Sequence, residues 1–112
     1  MTYEEALALV RTKYRTIRDS NHAEIIQTGM TYDGCNGFCV ALYNDGERVY
    51  LTDFGETKEV FDEVSERAWE SLCKKNGFEF NHWHIEHSFS SIKDISCFIA
   101  FLDRISKKYF PV

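Results

Sequence analysis

The sequence predicts an α+β domain, helices packed on an antiparallel meander sheet in the order α-β-β-β-α-β(β)-α. Three observations carry that prediction. Strand-length apolar runs are separated by turn chemistry at Asp33-Gly34, Asn36-Gly37 and Asn44-Asp45-Gly46, where Asp, Asn and Gly tolerate positive φ. A 3.6-residue apolar stripe, Ile92, Ile95, Phe98, Ile99, Leu102 and Ile105, marks a long C-terminal helix. Between them a strand runs into Asp53-Phe54-Gly55 and a helix starts at Thr57.

Taken in order, Thr2-x-x-Glu5 is a capping box that opens the first helix. Ala6, Leu7, Val10, Tyr14 and Ile17 continue at helical spacing, so the helix is expected to fade near Asp19-Ser20-Asn21, with Arg11, Arg15 and Arg18 on one side. Strands are expected over Ile25 to Tyr32, Phe38 to Tyr43 and Glu47 to Thr52. Val40 and Leu42 share one face, as do Val49 and Leu51. The outward face is expected to show Tyr43 and Tyr50, with Tyr32 near its end. A second helix is expected from Thr57, as N-cap, to Lys75, burying Val60, Phe61, Val64, Ala68 and Leu72. Asn76-Gly77 stops it. Phe78 to Phe89 reads as extended, with a hairpin turning near Asn81-His82. Ser90 or Ser91 caps the last helix, with Asp94 in its first turn and Lys107 and Lys108 suited to its C-terminal end.

A chain of 112 residues with 44% hydrophobic and 15% aromatic content fits one domain, residues 1–112, with a substantial core. Its net charge of −5 argues against generic nucleic-acid binding and permits docking onto a basic surface. No run approaches the ~20 apolar residues of a membrane span. The acidic start Met1-Thr2-Tyr3-Glu4-Glu5 is unlike a secretory signal. The expected location is therefore cytoplasmic, in a bacterial host cell once the resemblance below is added, with the four Cys reduced.

The stretch Leu51-Thr52-Asp53-Phe54-Gly55-Glu56-Thr57 resembles a Leu-Thr-Asp-x-Gly-x-Thr signature. That signature belongs to a domain family of small bacterial and prophage proteins without an established activity. The resemblance extends over roughly residues 20–106 and implies a fold and a setting in mobile elements, with no catalytic residues. In size, acidity and lack of reaction motifs the chain is also similar in type to small phage anti-CRISPR proteins.

Asp53 and Gly55 suit a turn in which the carboxylate accepts backbone N–H groups; the sharper alternative is a catalytic or metal-binding Asp. Cys35, Cys39, His82 and His84 form a candidate zinc set, since two Cys and two His make a normal tetrahedral site. Two apart on a strand, His82 and His84 are expected to share a face. The spacing matches no standard finger, His87 is an alternative to His82, and ordinary surface His with small buried Cys explain the same residues. Cys73 and Cys97 lie off the apolar stripes and read as incidental thiols; His22 reads as part of a helix-to-strand connection. Glu59, Glu63, Glu66 and Glu70, at i, i+4, i+7 and i+11, would form one row on the second helix. That row is either a solvated face or a docking surface for a basic groove.

The expected function is that of a non-catalytic inhibitor from a mobile element that binds a host protein such as a Cas nuclease, with no direct contact to nucleic acid. A zinc-stabilised interaction module with another partner is one alternative. A restriction-endonuclease-like nuclease is another, since it shares the element order, but the Glu-x-Lys it needs is replaced by Glu47-Arg48-Val49.

Overall fold

The computed structural model describes residues 1–32 and 37–109. Helix α1 (Tyr3–Arg11) begins with the full capping box: Thr2 Oγ1 accepts the Glu5 N–H at 3.1 Å, and the Glu5 carboxylate accepts the Thr2 N–H at 3.3 Å. It buries Tyr3, Ala6, Leu7 and Val10. It ends far short of Asp19. Thr12 caps it, its hydroxyl donating to the Leu9 carbonyl at 2.6 Å, and the chain turns into β1 (Arg15–Ser20), paired antiparallel with β2 (Ala23–Gln27). The helical spacing of Tyr14 and Ile17 is thus a coincidence: Tyr14 precedes β1 and packs against the core, while Ile17 on β1 is exposed. Thr16 and Ile17 are β-branched and suit the pleated hairpin better than a helix interior. Arg11, Arg15 and Arg18 do not share a side: Arg11 is on α1, while Arg15 and Arg18, an odd number apart on β1, face opposite ways.

Strands β3 (Ala41–Asn44) and β4 (Val49–Thr52) are joined by the expected Asn-Asp-Gly turn. Asp45 Oδ1 accepts from the Glu47 and Arg48 N–H groups, both at 2.9 Å, and Asn44 Oδ1 accepts from Gly46 N–H at 3.0 Å. The turn expected at Asp33-Gly34-Cys35-Asn36 lies outside the described residues; beside it, Phe38 N–H donates to the Met30 carbonyl at 2.9 Å.

The helix expected over residues 57–75 is two helices, α2 (Glu56–Val60) and α3 (Glu66–Lys75). Phe61 leaves the helical region (φ −111°, ψ 55°), and Ser65 restarts it, its hydroxyl accepting the Ala68 N–H at 3.2 Å. The break sends Phe61 inward and rotates the second helix. Trp69 and Cys73 become its fully buried pair, while Ala68 is exposed and Leu72 half-buried. Cys73 is therefore a core residue. Beyond α3, Gly77 N–H bonds the Lys74 carbonyl (3.2 Å) and Phe78 N–H the Cys73 carbonyl (2.8 Å), with Gly77 at φ 82°. This is the Schellman closure that Asn76-Gly77 announces.

Strands β5 (Glu79–Asn81) and β6 (His84–Ser88) form a hairpin with only His82 and Trp83 between them. The last helix, α4 (Ile92–Tyr109), starts where the Asp94 carboxylate accepts the Ser90 and Ser91 N–H groups at 2.7 and 2.9 Å. It buries Ile95, Phe98, Phe101, Leu102 and Ile105, with Ile92 and Ile99 packed at the margin.

All six strands form one antiparallel sheet in the order β1-β2-β3-β4-β6-β5. Register gives each face a composition. Ile26, Leu42, Leu51 and Ile85 lie on one face and join Leu7, Val10, Trp69, Phe98 and Leu102 of the helices in a single core. The opposite face carries Ile17, Ile25, Tyr43, Tyr50 and Glu86. Strand β1 is a free edge, and the bulge between Arg18 and Ser20 breaks its regularity.

Candidate interaction surface

Two turns meet at one end of the sheet. The first is Asp53-Phe54-Gly55, where β4 passes into α2. Asp53 is fully buried and acts as the organiser. Its Oδ1 accepts from Gly55 N–H and from Ile85 N–H of β6, both at 2.9 Å, and its Oδ2 from Thr57 N–H at 3.1 Å. One carboxylate thus caps α2 in place of Thr57 and ties the turn to the neighbouring strand. Thr57 instead shares a hydroxyl hydrogen bond of 2.5 Å with Tyr32. Tyr32 is buried rather than on the outward face, and burial pushes its phenol up. Burial likewise pushes the Asp53 carboxyl up, against the pull of its hydrogen bonds.

The second turn is His82-Trp83. Phe54 (φ 55°), His82 (φ 50°) and Trp83 (φ 72°) are the non-glycine residues at positive φ among the described residues, and all three fall here. Gly55 (φ 78°) locks the turns together: a Cβ on it would meet His84 Cδ2 at 3.1 Å and the Trp83 carbonyl at 3.3 Å. A two-residue loop with both residues at positive φ matches the twist of a hairpin and normally takes Asn-Gly. Bulky aromatics there store strain of about 1 kcal/mol or more each, the kind that persists where a function holds it.

Trp83 is 49% exposed. Lys58 Nζ sits 4.7 Å over its ring and donates to the Asp62 carbonyl at 3.2 Å. The indole is therefore held upright beside α2. An aromatic ladder leads away across the outward sheet face, from Tyr50 to Tyr43 (5.4 Å), Phe54 (6.4 Å) and His84 (6.3 Å). Tyr43 is half-buried. Tyr50 is largely covered, because Arg48 lies 4.3 Å over its ring while ion-pairing with Glu79 and Glu86 at 3.1 and 2.9 Å. Burial, then Glu86, push the Tyr50 phenol up to about 12.

The α2–α3 segment that supplies Lys58 also carries the acids. Glu59 is on α2, Glu63 in the link, and Glu66 and Glu70 on α3; each is exposed. The break after Val60 means that they do not form one helical row, although Glu66 and Glu70 remain one turn apart on α3. Glu56, Glu59, Asp62, Glu63, Glu66 and Glu70 are all exposed, against a single exposed base, Arg67, in the same stretch.

The described residues hold three members of the expected zinc set, Cys39, His82 and His84. Cys35 lies outside the described residues. His82 occupies the turn rather than the strand, so the strand alternation that would point it with His84 does not apply. Cys39 is buried, and burial, then Glu56 and Asp53, push its thiol up to about 12. Among the described residues no three His, Cys, Asp or Glu side chains cluster as a metal site would need. His22 sits in the β1–β2 turn, and Cys97 is exposed. Asp45, with Glu47 the acid a nuclease reading needs, is committed to its own turn, whose N–H groups hold its carboxyl below the usual range.

Sequence reasoning placed neither Trp83 nor Lys58 in a site. The available signal was a large aromatic pair, His-Trp, where a two-residue hairpin calls for Asn-Gly. Among the described residues no helix is long and apolar enough to cross a membrane. No family model matches the sequence, and neither a curated protein nor a solved structure matches the chain.

Proposed function

We propose that the protein is a binding module that seats the acidic α2–α3 edge and the Trp83 anchor in a basic groove of a host protein, blocking it without chemistry of its own. The observation that carries this reading is Trp83 itself, half-exposed on a strained turn and braced by Lys58, in whose segment of chain six carboxylates are exposed. Exposed, rigidly held Trp is the commonest kind of binding hot spot, and the surrounding charge selects a cationic partner and speeds encounter. Grooves that hold nucleic acid are the natural cationic targets. The resemblance to prophage proteins, and in type to anti-CRISPR proteins, makes a Cas nuclease the first partner to test.

The experiment is a panel of purified host nucleic-acid effectors presented to immobilised protein, with nuclease activity measured alongside. One effector is expected to bind and lose activity. Trp83→Ala should weaken binding at least tenfold with the fold intact. Absence of binding across the panel, or magnesium-dependent DNA cleavage by the protein alone, would overturn the reading.

A further inference from the structure

A separate cleft lies between α1 and the β1–β2 hairpin, on the far side of the sheet order from Trp83. It encloses about 460 Å³ and is lined mainly by polar side chains, among them Tyr3, Arg11, Thr16, Arg18, Asn21 and Glu24. Its floor is built around an unusual choice. Glu24 pairs in register with Leu42 on the helix-facing side of the sheet and is only 6% exposed. An apolar residue there would serve the fold better than a buried charge. Both carboxylate oxygens are taken: Arg11 binds Oε1, and Thr16 Oγ1 donates to Oε2 at 2.6 Å. The effect is to pin the Arg11 guanidinium over the cleft, with its other N–H groups unengaged among the described residues.

Two further groups line the same cleft, one buried and one exposed. The Tyr3 hydroxyl is buried without a hydrogen-bond partner among the described residues, an unfavourable state for a buried donor. Its charged neighbours are Glu24, Arg11, Arg18 and Glu4, so it sits at the cleft, and burial keeps it protonated, hence a donor. Arg18, opposite Glu24 in the strand register, makes no ion pair among the described residues; its guanidinium bonds only the Asn21 side-chain oxygen. The cleft therefore holds a buried hydroxyl and an exposed guanidinium outside any ion pair among the described residues, beside a second guanidinium fixed in place, with the Glu4 carboxylate also on its wall. One chemical group answers all three. We propose that this cleft binds the oxyanion of a small polar molecule, a phosphate or a carboxylate, held by Arg18, Arg11 and the Tyr3 hydroxyl. Guanidinium forks match such oxyanions in charge and geometry, and the volume suits a small molecule.

Inorganic phosphate and acetate serve as probes, titrated into isotope-labelled protein at constant ionic strength set with sodium chloride, with backbone amide and arginine side-chain resonances followed by NMR. A probe of so few atoms can bind no tighter than about micromolar. Saturable shifts centred on Thr16, Arg18, Asn21 and Glu24 are expected. Saturation by phosphate alone assigns a phosphoryl ligand, and saturation by acetate alone a carboxylate ligand; both support the site. Arg18→Gln should weaken binding at least tenfold. Tyr3→Phe should weaken it severalfold yet leave thermal stability equal or higher, because it deletes an unsatisfied hydroxyl. Shifts no larger than those from chloride, wild-type affinity in Arg18→Gln, or a Tyr3→Phe protein that is less stable but binds unchanged would each overturn the proposal.

Discussion

Asp53 joins more of the molecule than any other single side chain, since its two oxygens hold the N–H groups of Gly55, Thr57 and Ile85 from three different elements. Asp53→Ala would strand those donors in a dry interior, and should cost at least about 3 kcal/mol in urea unfolding. Asp53→Asn keeps the shape and one acceptor oxygen, and should cost less. The two also differ in pH response. A carboxyl raised by burial favours its protonated form in the folded state. Its stability contribution is complete below the unfolded value, near 3.9, and is lost as pH rises through the folded one. The stability of wild type minus that of Asp53→Asn should therefore fall as pH rises above about 4; a difference that grows instead would mean that the hydrogen bonds outweigh burial and hold the carboxyl down. The thiols make a second test at this scale. Burial pushes Cys39 and Cys73 up to about 12, while Cys97 is exposed. Because the thiolate is the reactive form, a disulfide reagent at neutral pH should label Cys97 at once in a Cys35→Ser background. The other two should react only at the rate of unfolding. Rapid labelling of Cys39 would mean that its pocket opens readily and that its sulfur is accessible to a metal.

The elements show where local signals suffice. The capping box at Thr2, the turn at Asn44-Asp45-Gly46, the closure at Asn76-Gly77 and the stripe of α4 were all legible, because each is decided within a few residues by its own hydrogen bonds or period. Tyr14 and Ile17 misled because their spacing continues the helical stripe of α1, while on the strand path they face opposite ways: Tyr14 packs against the core and Ile17 is exposed, which only pairing with β2 reveals. The break at Phe61 was hidden for a similar reason. Val60, Val64, Ala68 and Leu72 keep helical spacing, yet Ser65 is a better N-cap than interior residue, and Trp69 buries more surface than Ala68. The site anchor was missed because positive φ at His82 and Trp83 is imposed by the two-residue loop and not by the residues themselves. That conflict yields a prediction for the hairpin. Replacing His82-Trp83 by Asn-Gly relieves strain of about 1–3 kcal/mol and gives up a cation–π contact with Lys58 of roughly 0.5–1 kcal/mol. The double variant should unfold at higher urea and lose its partner. A destabilised variant would show that the aromatic pair serves the fold.

Across the whole molecule the charge is sharply partitioned. Residues 56–70 hold six of the eighteen acids and two of the thirteen bases, so they carry −4 of the net −5, and the rest of the chain is close to neutral. Such a concentration has a cost in the free protein. Glu66 and Glu70 repel each other at one-turn spacing on α3, a penalty of about 0.2–0.5 kcal/mol. A fold selected only for stability would disperse these charges. The quadruple variant Glu59→Gln, Glu63→Gln, Glu66→Gln and Glu70→Gln removes four charges from exposed positions without touching the core. If the cluster exists to meet a cationic groove, the variant should be as stable as wild type or a few tenths of a kcal/mol more so. Its association with the partner should slow by about tenfold at low salt, and its affinity should depend less on ionic strength. Dissociation, governed by the Trp83 anchor, should change less. Equal association rates for the two proteins, together with an unchanged salt dependence, would show that the acidic stretch is an ordinary solvated surface and would move the interface elsewhere on the molecule.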